Sequence, residues 1–181
     1  MSTLTSEKFG ALFDGATQSI FRLETLPVYN PESEASVLKA YLDGEPCPLE
    51  GVTTSYMKRV ADQSARGIRR FRVHVVQSPL TDYLRCEMEW GYMRNSGAGE
   101  EIFVLDTTEH GRPEALIDED FWFFDETGVV RMHYREDGEF RHPELVVAPD
   151  LDHYRAQRDL AMEQAVPFNE YWSAHPQYHR G

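Results

Sequence analysis

Residues 67–94 read GIRRFRVHVVQSPLTDYLRCEMEWGYMR, and the reading of their first ten positions decides the fold. Side chains alternate along an extended strand. A strand over 68–76 therefore sets Phe71, Val73 and Val75 on one face and Arg70, Arg72 and His74 on the other, with Val76 closing the polar row. Ser78-Pro79 reads as the start of a helix over 79–93, with Ser78 as its cap and Asp82 complementing the dipole. Its core stripe is Leu80, Tyr83, Leu84, Met88 and Gly91. A turn at Asn95–Gly99 leads to a second strand, Glu101–Asp106. Strand, helix and strand in this order form a βαβ unit, expected to be parallel and right-handed.

Working outward, Thr5–Asp14 reads as an amphipathic helix that offers Phe9, Leu12 and Phe13 to the core, and Gln18–Glu24 reads as a strand. Asn30-Pro31-Glu32 carries the letters of a cap, an N1 proline and a first-turn acid, for a helix ending at Gly44. GEPCPLEG (44–51) is a loop, and Thr54–Arg66 a helix ended by Gly67. Downstream the pattern changes. Phe121–Asp125 and Val129–Tyr134 form an antiparallel hairpin turned by Gly128, and Asp137-Gly138 turns into Phe140–Val147. Pro149 opens a last helix, Asp150–Gln164. The expected fold is α/β of the mixed α+β kind: one domain with a βαβ unit and a C-terminal hairpin in a mixed sheet, helices on its faces. Within 1–181, residues 1–44 form an N-terminal lobe, 52–172 the α/β core and 173–181 a tail.

The net charge is −13. Residues 66–94 hold six arginines against three acids, so this stretch is +3 and −16 is left for the rest. So acidic a body repels phosphate backbones, which argues against direct nucleic-acid binding. It could instead shield or mimic an anionic surface. No window approaches the roughly 18 apolar residues of a membrane span, and the N-terminus lacks the basic start and apolar core of a signal peptide, so a cytoplasmic location is expected. Cys47 and Cys86 have no zinc-type or redox spacing.

The stripe at the carboxyl end of a βαβ strand falls where α/β folds bind ligands. Arg70, Arg72 and His74, with Asp82 and Arg85 from the next helix, form the candidate anion or ligand site. Buried arginines must be paired, and Asp82, Glu87 and Glu89 are the acids at hand in the following helix. Trp122, Tyr171 and Trp172 are candidate anchors for a protein partner. His133 and His142 meet across the Asp137-Gly138 hairpin beside Glu144, but no H-E-x-x-H or glycine-rich phosphate loop occurs, and neither a metal nor a cofactor is expected. No G-x-S-x-G elbow is present.

FGALFDGATQSIFRLETLPVY, IRRFRVHVVQSPLTDYLRCEMEWGY, EDFWFFDETGVVRMHY with its DGEF turn, and AVPFNEYW together resemble an uncharacterised actinobacterial family, domain of unknown function 6879, over nearly the full chain. The resemblance implies a small regulatory or toxin–antitoxin-like protein that partners a helix-turn-helix regulator, with no chemistry or catalytic residues to carry over. More distantly, the layout is similar to one half of a phospholipase-D-like fold. Active members of that superfamily carry an H-x-K motif where this chain has Asp118-Glu119-Asp120-Phe121-Trp122. The leading expectation is a non-catalytic interaction protein. The alternative is a small enzyme or sensor that binds phosphate or carboxylate at Arg70/Arg72/His74, in the manner of a degenerate phosphodiesterase.

Overall fold

The alternation at 68–76 does produce a strand, and it lies inside the sheet. A computed structural model describes residues 2–30 and 34–180. In chain order the elements begin with β1 (Ser2–Thr3), α1 (Ser6–Gly15), β2 (Ser19–Glu24), α2 (Ala35–Leu42), α3 (Ser55–Ala65) and β3 (Arg69–Val76). A helical stretch follows in three parts: α4 (Asp82–Cys86), a π-helical segment (Glu87–Tyr92) and α5 (Met93–Gly97). Next come β4 (Glu101–Asp106), α6 (Thr107–His110), β5 (Asp120–Phe124), β6 (Gly128–Tyr134) and β7 (Phe140–Leu145). The chain closes with α7 (Leu151–Gln164), β8 (Val166–Pro167), α8 (Phe168–Ala174) and a 3-10 turn (Pro176–Tyr178).

Among the described residues the sheet has eight strands in the order β1-β7-β6-β5-β2-β3-β4-β8. Its centre, β2, β3 and β4, is parallel, and the strands on either side are antiparallel. The chain thus forms a mixed α/β sheet domain, as the pattern predicts. β2 pairs with both β3 and β5, so residues 1–44 supply a central strand and not a separate lobe.

The two faces differ in kind. One is apolar: Phe21, Leu23, Phe71, Val73, Val75, Phe121 and Phe123 pack under Tyr154 and Ala161 of α7. The other carries Arg22, Glu24, Arg70, Arg72, His74 and Asp120, all buried. It is covered by α1 and α3 toward one end, and by the α4–α5 stretch and α8 toward the other.

Several boundaries differ from the sequence reading. The helix after β3 begins at Asp82, capped by the Thr81 hydroxyl accepting from the Leu84 N–H at 3.2 Å. Ser78 is no cap, because its hydroxyl donates to Asp106 across the strand ends. The turn expected at Asn95–Gly99 is mostly helix, since α5 runs to Gly97. In the β5–β6 hairpin the left-handed residues are Asp125 (φ 49°) and Glu126 (φ 56°), not Gly128. The Thr127 N–H donates to the Phe124 carbonyl at 2.9 Å, closing a two-residue turn whose positive φ values match the strand twist. Gln164 does not end the helical structure: α8 follows and buries Phe168, Tyr171 and Trp172. Pro31 and Glu32 of the predicted helix start lie outside the described residues.

Candidate functional site

The polar face is a layer of ion pairs built by strand register. Arg22 of β2 lies directly beside Arg72 of β3, an arrangement that is repulsive unless an acid intervenes. Glu24, two residues on and hence on the same face, supplies it. Its carboxylate lies 2.9 Å from Arg22 Nε and accepts from Arg72 Nη1 at 2.8 Å. Arg72 also donates to Glu100 from Nε (3.0 Å) and Nη2 (2.8 Å). Arg22 Nη2 donates to Asp120 (3.3 Å) and to the Tyr134 hydroxyl (2.9 Å). Arg70 lies between the rings of Tyr56 (4.6 Å) and Phe13 (4.9 Å) and donates to Gln63 Oε1 at 2.9 Å. Three guanidiniums thus face three carboxylates.

The titration of these groups follows from their surroundings. Burial pushes the Glu24 carboxyl up, but the Arg72 and Arg22 charges overcome it and hold it down at about 2. Burial lowers His74, which is fully enclosed at 0 % exposure. The Leu26 carbonyl, 3.1 Å from His74 Nε2, can only accept. The neutral ring therefore carries its proton on Nε2, and Nδ1 accepts from the Tyr92 hydroxyl at 2.6 Å. Glu87 has no such partner. Burial and the Glu24 charge raise its carboxyl well above the ordinary range, and its Oε2 is buried without a hydrogen bond.

Over this layer opens a cavity of about 450 Å³. Arg22, Glu24, Arg72 and Trp122 form its floor, Tyr29, Tyr56, Tyr83 and Tyr134 stand in its walls, and Phe140 sits at the hairpin rim. Glu87, Gly91, Arg94 and Asn95 enter from the α4–α5 stretch. The π-helical segment carries Glu87 and Gly91, and such widened turns recur at functional sites. Gly91 leaves the wall open: a Cβ there meets only Glu87 Cγ, at 3.6 Å. A smaller cavity of about 120 Å³ lies alongside and shares Glu34, Leu49, Tyr83, Glu87, Gly91 and Asn95. Val37, Leu38, Cys86 and Trp90 make it largely apolar.

Of the residues singled out in the sequence, Arg70, Arg72 and His74 do lie together, buried, and only Arg72 reaches the cavity. Their acids come from β2 and from the residue before β4, not from the following helix, because cross-strand register sets the contacts. Asp82 and Arg85 are elsewhere, paired with each other, with Arg85 donating to the Tyr178 carbonyl. The cavity lies over the sheet face and not beyond the strand ends. There Asp106 is satisfied by Ser78, by the Thr108 N–H (2.8 Å) and by the Tyr171 hydroxyl (2.8 Å). Trp122, Tyr171 and Trp172 are buried, so none stands on the surface as an anchor.

The tail is docked: His179 stacks on Trp172 at 4.4 Å, and Arg180 donates to the Tyr41 carbonyl at 3.2 Å. His133 and His142 do stack, 4.7 Å apart, with Glu144 2.7 Å from His133 Nε2. No cluster of three metal-ligating side chains forms among the described residues. No helix among them is long and apolar enough to cross a membrane. Arg22, Glu24 and Asp120 were missed. For Arg22 and Glu24 the signal is present in QSIFRLE, where they interrupt an otherwise apolar alternation as Arg70 and Arg72 do in β3.

These features define a class: a mixed-sheet α/β domain with a charged layer inside and an open pocket above it. The sequence places it more narrowly. Residues 7–173 match the profile of the family described as Domain of unknown function (DUF6879), and the chain belongs to that family. No curated protein matches it.

Proposed function

We propose that this protein is a small-molecule-binding regulatory domain, and that the pocket over the β2–β3 ion-pair layer is its ligand site. One observation carries the reading: a cavity of about 450 Å³ whose floor is a fixed charged layer and whose walls are aromatic. That combination, apolar walls with a few convergent polar groups, is what ligand pockets have in common. Binding is favoured over phosphodiesterase chemistry of the histidine–lysine type because, among the described residues, the lining holds neither a histidine nor a lysine.

The test is a thermal-shift screen of small metabolites against the wild type and Gly91→Leu. Gly91 lines the pocket and a Cβ there meets only Glu87 Cγ, so a leucine takes up pocket space from the wall, and it suits a helix better than glycine. Compounds should raise the melting temperature of the wild type by several degrees and leave Gly91→Leu unmoved. A screen with no hits, or hits indifferent to the leucine, removes the proposal.

A second reading concerns the exterior. The net charge of −13 favours a basic partner such as a helix-turn-helix regulator. Co-purification with a regulator encoded beside it tests this, and salt should weaken the complex. A complex that forms equally well in high salt argues against the charged exterior as the docking surface.

A further inference from the structure

Building on the proposed pocket, we infer that its ligand is a small organic cation, a protonated amine or guanidine, held by Glu87 and Glu34 among the tyrosine rings. The arginines beneath are already occupied. Arg22 is tied to Glu24 and Asp120, and Arg72 to Glu24 and Glu100. Arg94, at the rim, donates to the Val52 carbonyl and to Met57 Sδ. The Arg22 and Arg72 charges on the floor are therefore neutralised within the protein, while Arg94 has only neutral acceptors.

Besides Arg94, the lining leaves two carboxyls without a charged partner. Among the described residues neither Glu34 nor Glu87 has an arginine or lysine partner. Glu34 accepts from the Tyr83 hydroxyl at 3.3 Å, and the nearest basic group to Glu87 is the neutral His74 ring, 3.9 Å away. Glu34 stands exposed at the mouth and Glu87 is partly enclosed; reduced hydration raises both carboxyls, a penalty that a positive charge beside them would relieve. Tyr29, Tyr83 and Tyr134 flank them, and aromatic faces attract cations, most strongly where water is excluded.

One further detail narrows the ligand. The adjoining apolar cavity of about 120 Å³ has room for a short hydrocarbon or aromatic limb. The acidic exterior would enrich cations near the entrance.

The experiment is titration calorimetry of tyramine, agmatine and choline, with inorganic phosphate and 3-phenylpropionate as anionic counterparts. The proteins are wild type, Glu87→Gln, Glu34→Gln and Gly91→Leu, each first checked by melting for an intact fold. At least one amine should bind the wild type, weaken tenfold or more in Glu87→Gln, and be lost in Gly91→Leu. The anions should not bind. The cation assignment is overturned if none of the amines binds, or if both glutamine variants bind the amines as tightly as the wild type does. An anion or neutral compound that binds the wild type and is excluded by Gly91→Leu overturns the cation assignment while leaving the pocket itself as the ligand site.

Discussion

Glu24 holds the polar layer together. It is the one carboxylate shared by Arg22 and Arg72, two like charges on adjacent strands. Removing a partner from such a buried set leaves a bare charge behind and costs about 3–5 kcal/mol. Arg72→Met should lower the unfolding free energy by that much in a denaturant titration, since both Glu24 and Glu100 lose their main donor. Glu24 also gives the fold an acid limit. Its folded value, about 2, lies below the ordinary 4.5, so its contribution is complete above the unfolded value and fades as pH falls through that window. The shift corresponds to about 3 kcal/mol. Melting curves between about pH 4.5 and pH 2 should show a steep loss that Glu24→Gln flattens. Glu87 and Asp120 run the other way. Burial raises both carboxyls, so they take up protons in the folded state above their ordinary values, adding stability as pH falls toward 4.5 and 3.8 and changing it little further below. The partners of Arg70 and Arg72 are Glu24 and Glu100, where the sequence offered Asp82, Glu87 and Glu89. An alternation reveals which residues share a face, whereas the neighbouring strand is a long-range choice.

Among the elements, the β5–β6 turn does more than reverse the chain. Asp125, held at φ 49°, accepts from the backbone N–H groups of Thr17 (2.9 Å), Gln18 (2.8 Å) and Ser19 (2.9 Å), fastening the entry of β2. Asp125→Ala should cost about 1–3 kcal/mol through those orphaned donors, read as a lower melting temperature, with Asn recovering part of it. The β6–β7 turn is more constrained. Gly138 has φ 82°, and a Cβ there would lie 2.4 Å from the Val28 carbonyl oxygen. Gly138→Ala should therefore destabilise the fold beyond its conformational cost of about 1 kcal/mol, and should loosen the Tyr29 wall of the pocket, detectable as faster hydrogen exchange over residues 25–30. The hairpin was legible from two β-rich runs around a polar turn. The π-helical segment was not, because an i→i+5 widening leaves no residue-type signature in EMEWGY.

At the scale of the whole molecule, α8 and the tail close the fold over β4. Phe168, Tyr171 and Trp172 share a cluster with Ile102, Val104 and Tyr92. Trp172→Ala should cost about 3–5 kcal/mol, and deletion from residue 168 onward should expose that face and give insoluble protein, seen as loss from the soluble fraction. A surface role for Trp172 would instead leave stability unchanged. The sequence by itself determined the central strands and the helices α1, α3 and α7, the mixed α/β class and the two-faced character of β3, since these follow from local periodicity and turn chemistry. Tertiary structure alone decided that β2 lies beside β3, that Glu24, Glu100 and Asp120 neutralise the arginines, and that Glu87 faces the pocket without a basic partner. Those facts depend on which distant segments pair and in what register, and a buried charge is read only once its neighbours are fixed.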